Sequence, residues 1–212
     1  MQDRDYKDYG YDSTDPSHIH AGLARAVFEL AGPLGPPCRV LDIGCGSGVI
    51  CGDFQSRGCD VMGVDLSESG IDLARRNFSG CRFELLGVND VSLDRLGEAP
   101  FDVVVSTEVV EHLYAPRELV RAAYSVLRPG GRFIVTTPYH GYLKNLGISL
   151  ANHWDVHADP LWDGGHVKLF SRRTLGKLLT EAGFRDLRFR GVRRAPFLWM
   201  SMVFAGVKPG RS

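Results

Sequence analysis

The chain has 212 residues, 44% of them hydrophobic and 24% charged, with 25 Lys+Arg balanced by 25 Asp+Glu for a formal net charge of zero. A chain of this length fits one domain with a self-sufficient core, and its composition excludes disordered, collagenous and membrane-embedded classes. With no basic excess, a nucleic-acid partner is disfavoured.

The N-terminal stretch is polar and has no apolar core of a signal peptide. The five cysteines, Cys38, Cys45, Cys51, Cys59 and Cys81, are odd in number, and no pair has a zinc-knuckle spacing. These features predict a cytoplasmic protein with reduced thiols. The longest apolar run, residues 195–207, is too short to span a bilayer.

The predicted elements run as follows. Residues 1–37 form a polar leader, with Tyr6, Tyr9 and Tyr11 among acids, and then a helix over residues 19–30 that stops at the Gly/Pro break 32–37. Residues 38–137 alternate short apolar runs with helical periods. Strands are expected at 39–43, 60–64, 82–86, 101–106 and 132–137, and helices at 49–57, 67–78 (with Ser67 as N-cap) and 116–127. Residues 138–170 break the rhythm. This aromatic, histidine-rich stretch predicts a lid or acceptor insertion, with the apolar stripe Leu143, Leu146, Ile148 and Leu150 docking a helix on the body. Residues 171–212 supply a helix closed by Gly183 and two edge strands, 184–190 and 199–207. The expected fold is α/β, a Rossmann-like doubly wound sheet of seven strands with the last antiparallel and a lid insertion.

Val40-Leu41-Asp42-Ile43-Gly44-Cys45-Gly46-Ser47-Gly48 lies between the first strand and first helix, and Asp65 ends the second strand. Glycines there allow a tight turn and a close backbone approach to a ligand, while an acid at that point can accept both ribose hydroxyls of an adenosine. A dinucleotide fingerprint would space its glycines G-x-G-x-x-G. The spacing here, Gly44-x-Gly46-x-Gly48 preceded by Asp42, resembles the first motif of class I S-adenosylmethionine-dependent methyltransferases. Leu127-Arg128-Pro129-Gly130-Gly131 resembles that class's turn before the fifth strand, and residues 170–184 resemble its F-(S/T)-x-x-x-L-x-x-L-L-x-x-A-G-F segment. The resemblance covers residue 20 to the end and implies S-adenosylmethionine as cofactor. It places Asp42 and Thr107 near the methionine moiety, Cys45 in the loop, Leu66 beside Asp65, and Asn89-Asp90 near the adenine. His20, at the start of the first helix, is in a region that often folds over the cofactor.

Thr107-Glu108-Val109-Val110-Glu111-His112 follows the fourth strand. If helical, it puts Glu108, Glu111 and His112 on one face at the carboxyl end of the sheet. The E-x-x-E-H pattern, with Gly165-His166-Val167-Lys168-Leu169-Phe170 downstream, resembles two methyltransferase groups: ubiquinone-biosynthesis O-methyltransferases and small-RNA 3′-terminal 2′-O-methyltransferases. That resemblance implies a divalent ion (magnesium, manganese or zinc) held by Glu108, Glu111, His112 and His166, which would lower the pKa of an acceptor hydroxyl. The same residues admit metal-free readings. Glu108 can orient a loop, and His112, with Glu111 beside it, can act as a general base or position substrate.

The sequence therefore predicts O-methylation of a small-molecule hydroxyl. RNA 2′-O-methylation and metal-free N- or C-methylation of a metabolite are alternatives, and a nicotinamide-dependent oxidoreductase or a non-catalytic binding module are rivals from other classes. Peripheral membrane contact is compatible with the apolar stripe at 143–150. The oligomeric state is not readable.

Overall fold

The structure, a computed structural model, describes residues 20–162 and 164–210, with the side chains of His20 and Ala21 outside that description. The leader tyrosines and His18 therefore lie outside the described residues, as does the side chain of the cofactor candidate His20.

Seven strands form one sheet: β1 (Arg39–Ile43), β2 (Asp60–Asp65), β3 (Arg82–Leu85), β4 (Phe101–Ser106), β5 (Leu127–Pro138), β6 (Arg185–Val192) and β7 (Ser201–Val207). Their order is β3-β2-β1-β4-β5-β7-β6. Neighbours from β3 through β5 pair in parallel, and β7 runs antiparallel to both β5 and β6. The chain order reverses between β1 and β4, the switch point at which a doubly wound sheet opens a crevice beyond its carboxyl ends.

The parallel strands read as near-continuous apolar runs because helices cover both faces. Alternate side chains separate cleanly between two cores. Val40, Val61, Val103 and Val105 pack with Leu23, Val27, Phe54 and Ile71. Leu41, Met62, Val104 and Phe133 pack with Leu119, Val120, Leu175 and Leu179 on the other face. The first face is covered by α1 (His20–Ala31), α2 (Val49–Gln55) and α3 (Glu68–Asn77), and the second by α5 (Pro116–Val126) and α8 (Arg172–Glu181), with a short α4 (Leu93–Leu96) before β4. Ser67 caps α3 by accepting from Gly70 N at 3.0 Å, as its position predicts. The outer strand β6 carries Arg185, Arg188 and Arg190, charges that protect an open sheet edge from pairing.

Two expectations change. β5 starts at Leu127 rather than 132, because the Gly-Gly turn is held by hydrogen bonds with Lys208: Gly130 N donates to its carbonyl, and Lys208 N donates to the Gly131 carbonyl. The stretch 138–170 carries α6 (Tyr142–Leu150) and α7 (Trp154–His157), but α6 does not dock through its apolar stripe. Leu143, Leu146 and Leu150 are exposed, Leu150 to 80%, whereas Lys144 is only 6% exposed. The helix is turned this way because Lys144 Nζ donates to the Met200 carbonyl (3.3 Å) just before β7.

α8 starts on a capping box in which the Ser171 hydroxyl accepts from Thr174 N and the Thr174 hydroxyl accepts from Ser171 N. Ser171→Ala should lower stability by about 1 kcal/mol, read in thermal unfolding as a Tm lower by roughly 2–4 °C for a domain of this size. An unchanged Tm would show that α8 is held by packing alone.

Candidate active site

The glycine loop is fixed to the end of β2. The Val64 carbonyl accepts from both Gly44 N (2.8 Å) and Cys45 N (3.1 Å). Asp65 accepts from Gly46 N through one carboxylate oxygen and from Ser67 N through the other, each at 2.8 Å. Gly44, Gly46 and Gly48 have φ of +80°, +49° and +81°, a left-handed region that L side chains avoid. A Cβ on Gly44 would also fall on the Val109 side chain, so this glycine lets the segment after β4 close against the loop.

Asp42 lies beneath the loop, 1% exposed, with one carboxylate oxygen unpartnered among the described residues and the other accepting from Cys51 Sγ at 3.5 Å. Burial is the main cause that pushes its pKa up to about 7, with the nearby Asp65 charge adding to it. A buried acceptor left open beside a backbone cradle fits the ammonium of an amino-acid moiety, so these residues suit S-adenosylmethionine. Cys45 turns its thiol inward against Gly63, where a Cβ would come within 2.8 Å of the sulfur, so Cys45 presents backbone to the crevice. Leu66 packs over Gly87. Asn89 and Asp90 are exposed on a 3-10 turn (Val88–Asp90) beyond β3. Thr107 is half-buried at the end of β4, which is stitched to β1 by Ser106 Oγ donating to the Ile43 carbonyl at 2.7 Å.

The E-x-x-E-H segment is not an α-helix. Glu108 has φ +54°, and only Val110–His112 form a 3-10 turn. Glu108 is consequently directed to β5 and β7: Thr136 Oγ donates to it at 2.8 Å and Ser201 Oγ at 3.5 Å. The ligand atoms that come together, all within 4.8 Å of one another, belong to Glu111, His112 and His166, without Glu108. The Glu111 carbonyl accepts from Val167 N and Lys168 N, both at 2.9 Å, which brings His166 to this turn. His112 Nδ1 faces the carbonyls of Gly164 (2.8 Å) and Gly165 (3.2 Å), so it carries the proton, and Nε2 lies 4.0 Å from Glu111. Trp162 sits edge-on to both imidazoles.

Glu111 is 1% exposed, and neither carboxylate oxygen makes a hydrogen bond of normal geometry among the described residues, nor does the adjacent Thr137 hydroxyl. Burial, reinforced by the Glu108 charge, holds its carboxyl well above the usual range. Glu108 is itself pushed up to about 7 by burial, opposed by its two hydroxyl partners and by Lys144. Burial lowers His166 to about 4, which leaves its imidazole neutral near pH 7. A neutral imidazole and a buried, unpartnered carboxylate are donors suited to a divalent ion. The sequence reading missed the Gly164 and Gly165 carbonyls, Thr137 and Lys144. Lys144 alone left a signal, as the single charged residue of its helix.

A doubly wound sheet with an antiparallel last strand, a left-handed glycine loop and an acid closing β2 defines a Rossmann-like cofactor-binding domain of the methyltransferase type. The chain belongs to the methyltransferase family, whose description "Methyltransferase domain" matches residues 16–188. Within the class I S-adenosylmethionine-dependent enzymes it resembles the ubiquinone-biosynthesis O-methyltransferase group. It is 35% identical over 174 residues to a "Ubiquinone biosynthesis O-methyltransferase" of Bordetella avium, covering 80% of this chain and 71% of the relative. Against the protein of that name from Ruegeria pomeroyi the identity is 31% over 167 residues, 76% of this chain and 65% of the relative, so the chain spans just under two thirds of that protein. The fold is shared with a Burkholderia thailandensis 1,6-didemethyltoxoflavin-N1-methyltransferase solved with S-adenosylhomocysteine (TM-score 0.67, 24% identity, 90% of this chain and 79% of that one).

Asp42 gives this site a measurable signature. Its pKa rises from an ordinary 3.8 to about 7 on folding. The folded state therefore binds its proton more tightly, and stability falls as pH rises between these two values. Asp42→Asn does not titrate, so in cofactor-free protein its Tm relative to the parent should rise from pH 4 to pH 7 and level off above that, while its affinity for S-adenosylhomocysteine drops. A Tm difference independent of pH would contradict the buried-carboxylate account.

Proposed function

We propose that this chain transfers the methyl group of S-adenosylmethionine to a hydroxyl of a small molecule, with a divalent ion at Glu111, His112 and His166 beside the acceptor. The observation that carries this reading is the buried Glu111 carboxylate, with no hydrogen bond of normal geometry at either oxygen among the described residues and flanked by two imidazoles. The printed names of the relatives, O-methyltransferases, support oxygen as the acceptor atom. When bound, the cofactor supplies an activated methyl and the ion a positive charge that favours the deprotonated hydroxyl.

The chain's own residues do the rest. Gly44, Gly46 and Asp65 would hold the adenosine end, Asn89 and Asp90 the adenine side, and Asp42 and Thr107 the amino-acid end. The Gly164 and Gly165 carbonyls hold the His112 ring through Nδ1, so that Nε2 would serve the ion or the acceptor. Glu108, tied to Thr136 and Ser201, positions the β4 segment rather than joining the ligand set. Residues 138–170 would shut water out over the acceptor, and the exposed Leu143, Leu146 and Leu150 would meet an apolar surface such as a membrane face. Among the described residues no helix is long and apolar enough to cross a membrane. All five cysteines are free thiols, which suits a reducing compartment such as the cytoplasm.

Manganese titration separates this reading from its metal-free alternative. Glu111→Gln should weaken manganese binding by roughly tenfold or more and Glu108→Gln by only about twofold, with S-adenosylhomocysteine affinity unchanged in both. Chelation should stop methyl transfer reversibly. Full turnover after exhaustive chelation, with no metal by elemental analysis, would remove the ion and leave His112 as a general base.

A further inference from the structure

Asp42 stands near the end of β1, in register with Gly63 of β2 on one side and Val105 of β4 on the other. A carboxylate in the middle of a sheet is costly unless something holds it. Its one hydrogen-bond donor among the described residues is the thiol of Cys51, 3.5 Å from Oδ2, and Oδ1 has none. Cys51 belongs to the first turn of α2 and is fully buried. Close packing fixes the direction of its side chain. A Cβ on Gly52 would fall on the Phe78 ring, and one on Gly48 would meet Ala74 and Phe83. The helix is seated too closely on these neighbours to turn about its axis.

Two thiols lie together here, and each has its own acceptor. Cys45 borders Cys51 and donates to the Gly46 carbonyl at 3.9 Å, which leaves Cys51 to donate to Asp42. Burial holds the Cys51 thiol well above its ordinary range, and the contact with Cys45 and the Asp42 charge add to this, so it stays S–H. The titratable groups that face Asp42 are Cys51 from α2, Cys45 from the glycine loop and Asp65 from β2, with Cys81 near by. Of these, Cys51 favours the carboxylate form and Asp65 opposes it. The last torsion of an aspartate is broad and roughly two-fold, so a donor on one oxygen decides where the other stands.

We propose that Cys51 is a positioning residue for the cofactor: its thiol holds Asp42 through Oδ2 and so keeps Oδ1 available to the ammonium at the amino-acid end of S-adenosylmethionine. This rests on the cofactor reading of the glycine loop and adds a residue that lies outside the loop.

Calorimetric titration of the full chain with S-adenosylhomocysteine, between about pH 5.5 and about pH 8.5, tests it. The parent's affinity should fall as pH drops through about 7, where Asp42 takes up its proton. Cys51→Ala and Cys51→Val both remove the donor, one with less volume and one with more. At the alkaline end each should weaken binding by about three- to tenfold. Each should also move the pH midpoint upward, because the bond that favours the carboxylate is gone. A cavity and an overfilled site have no such shift in common. Cys51→Ser keeps a donor and should bring affinity and midpoint back toward the parent's. In an Asp42→Asn background the midpoint should disappear, and adding Cys51→Ala should change affinity by less than about twofold. Alanine and valine disturb packing in opposite directions, so whichever variant folds carries the test. An unmoved midpoint in that variant overturns the proposal, as does an equal loss of affinity with and without Asp42→Asn. Failure of the parent chain to bind S-adenosylhomocysteine overturns the cofactor reading and this proposal together, whereas binding with an unmoved midpoint overturns this proposal alone.

Discussion

The site depends on how the end of β2 holds the turn after β1. One carbonyl, that of Val64, takes two backbone N–H groups from the glycine loop, and the next residue, Asp65, takes a third through its carboxylate. Ordering three glycines costs conformational entropy, which is offset by two hydrogen bonds to a neutral carbonyl, worth about 0.5–1.5 kcal/mol each, and one to a charged carboxylate, worth about 1.5–3 kcal/mol. Because β1 and β2 are paired in register from Arg39↔Asp60 to Ile43↔Val64, this clamp also sets where the loop stands at the switch point. The segment after β4 can then close on Gly44, with Val109 occupying the space a side chain there would fill.

Around this clamp lie three buried ionisable groups that ordinary packing would not tolerate: Asp42 under the loop, Glu111 on the turn after β4, and Lys144 on α6. Asp42 and Glu111 are short of hydrogen-bond partners among the described residues, whereas Lys144 donates to the Met200 carbonyl and feels the Glu108 charge. Native structures leave few buried polar groups unpaired, and those few concentrate where a ligand completes them. Asp42 and Glu111 are the two carboxylates the proposed function uses, the first toward the ammonium of the cofactor and the second toward a divalent ion. The two carboxylates, raised by burial, and the ammonium, lowered by it, respond to one cause with opposite sign.

Much of the fold is legible in the sequence, because a parallel sheet covered on both faces writes itself as short apolar runs separated by helical periods. The Ser67 and Ser171 caps and the loop–acid pair are local features and read directly. What failed depends on tertiary choices. Glu108 fits a helical face by spacing, yet its backbone adopts φ +54° so that Thr136 and Ser201 can reach its carboxylate. The leucines of α6 form an apolar stripe, yet a single buried lysine decides which way that helix faces. The carbonyls that orient His112 come from Gly164 and Gly165, far along the chain, and no side-chain motif marks a backbone acceptor. The short α4 has four residues, too few to show a period.

The account stands on the glycine loop and Asp65 forming a site for S-adenosylmethionine. Calorimetric titration of the full chain with S-adenosylhomocysteine, repeated on Asp65→Ala, tests it directly. Binding should be saturable at one site per chain, with Asp65→Ala weaker by about ten- to a hundredfold through the loss of hydrogen bonds to a charged acceptor. Binding of a nicotinamide dinucleotide in place of the sulfur compound, or equal affinities for the parent chain and Asp65→Ala, would contradict it.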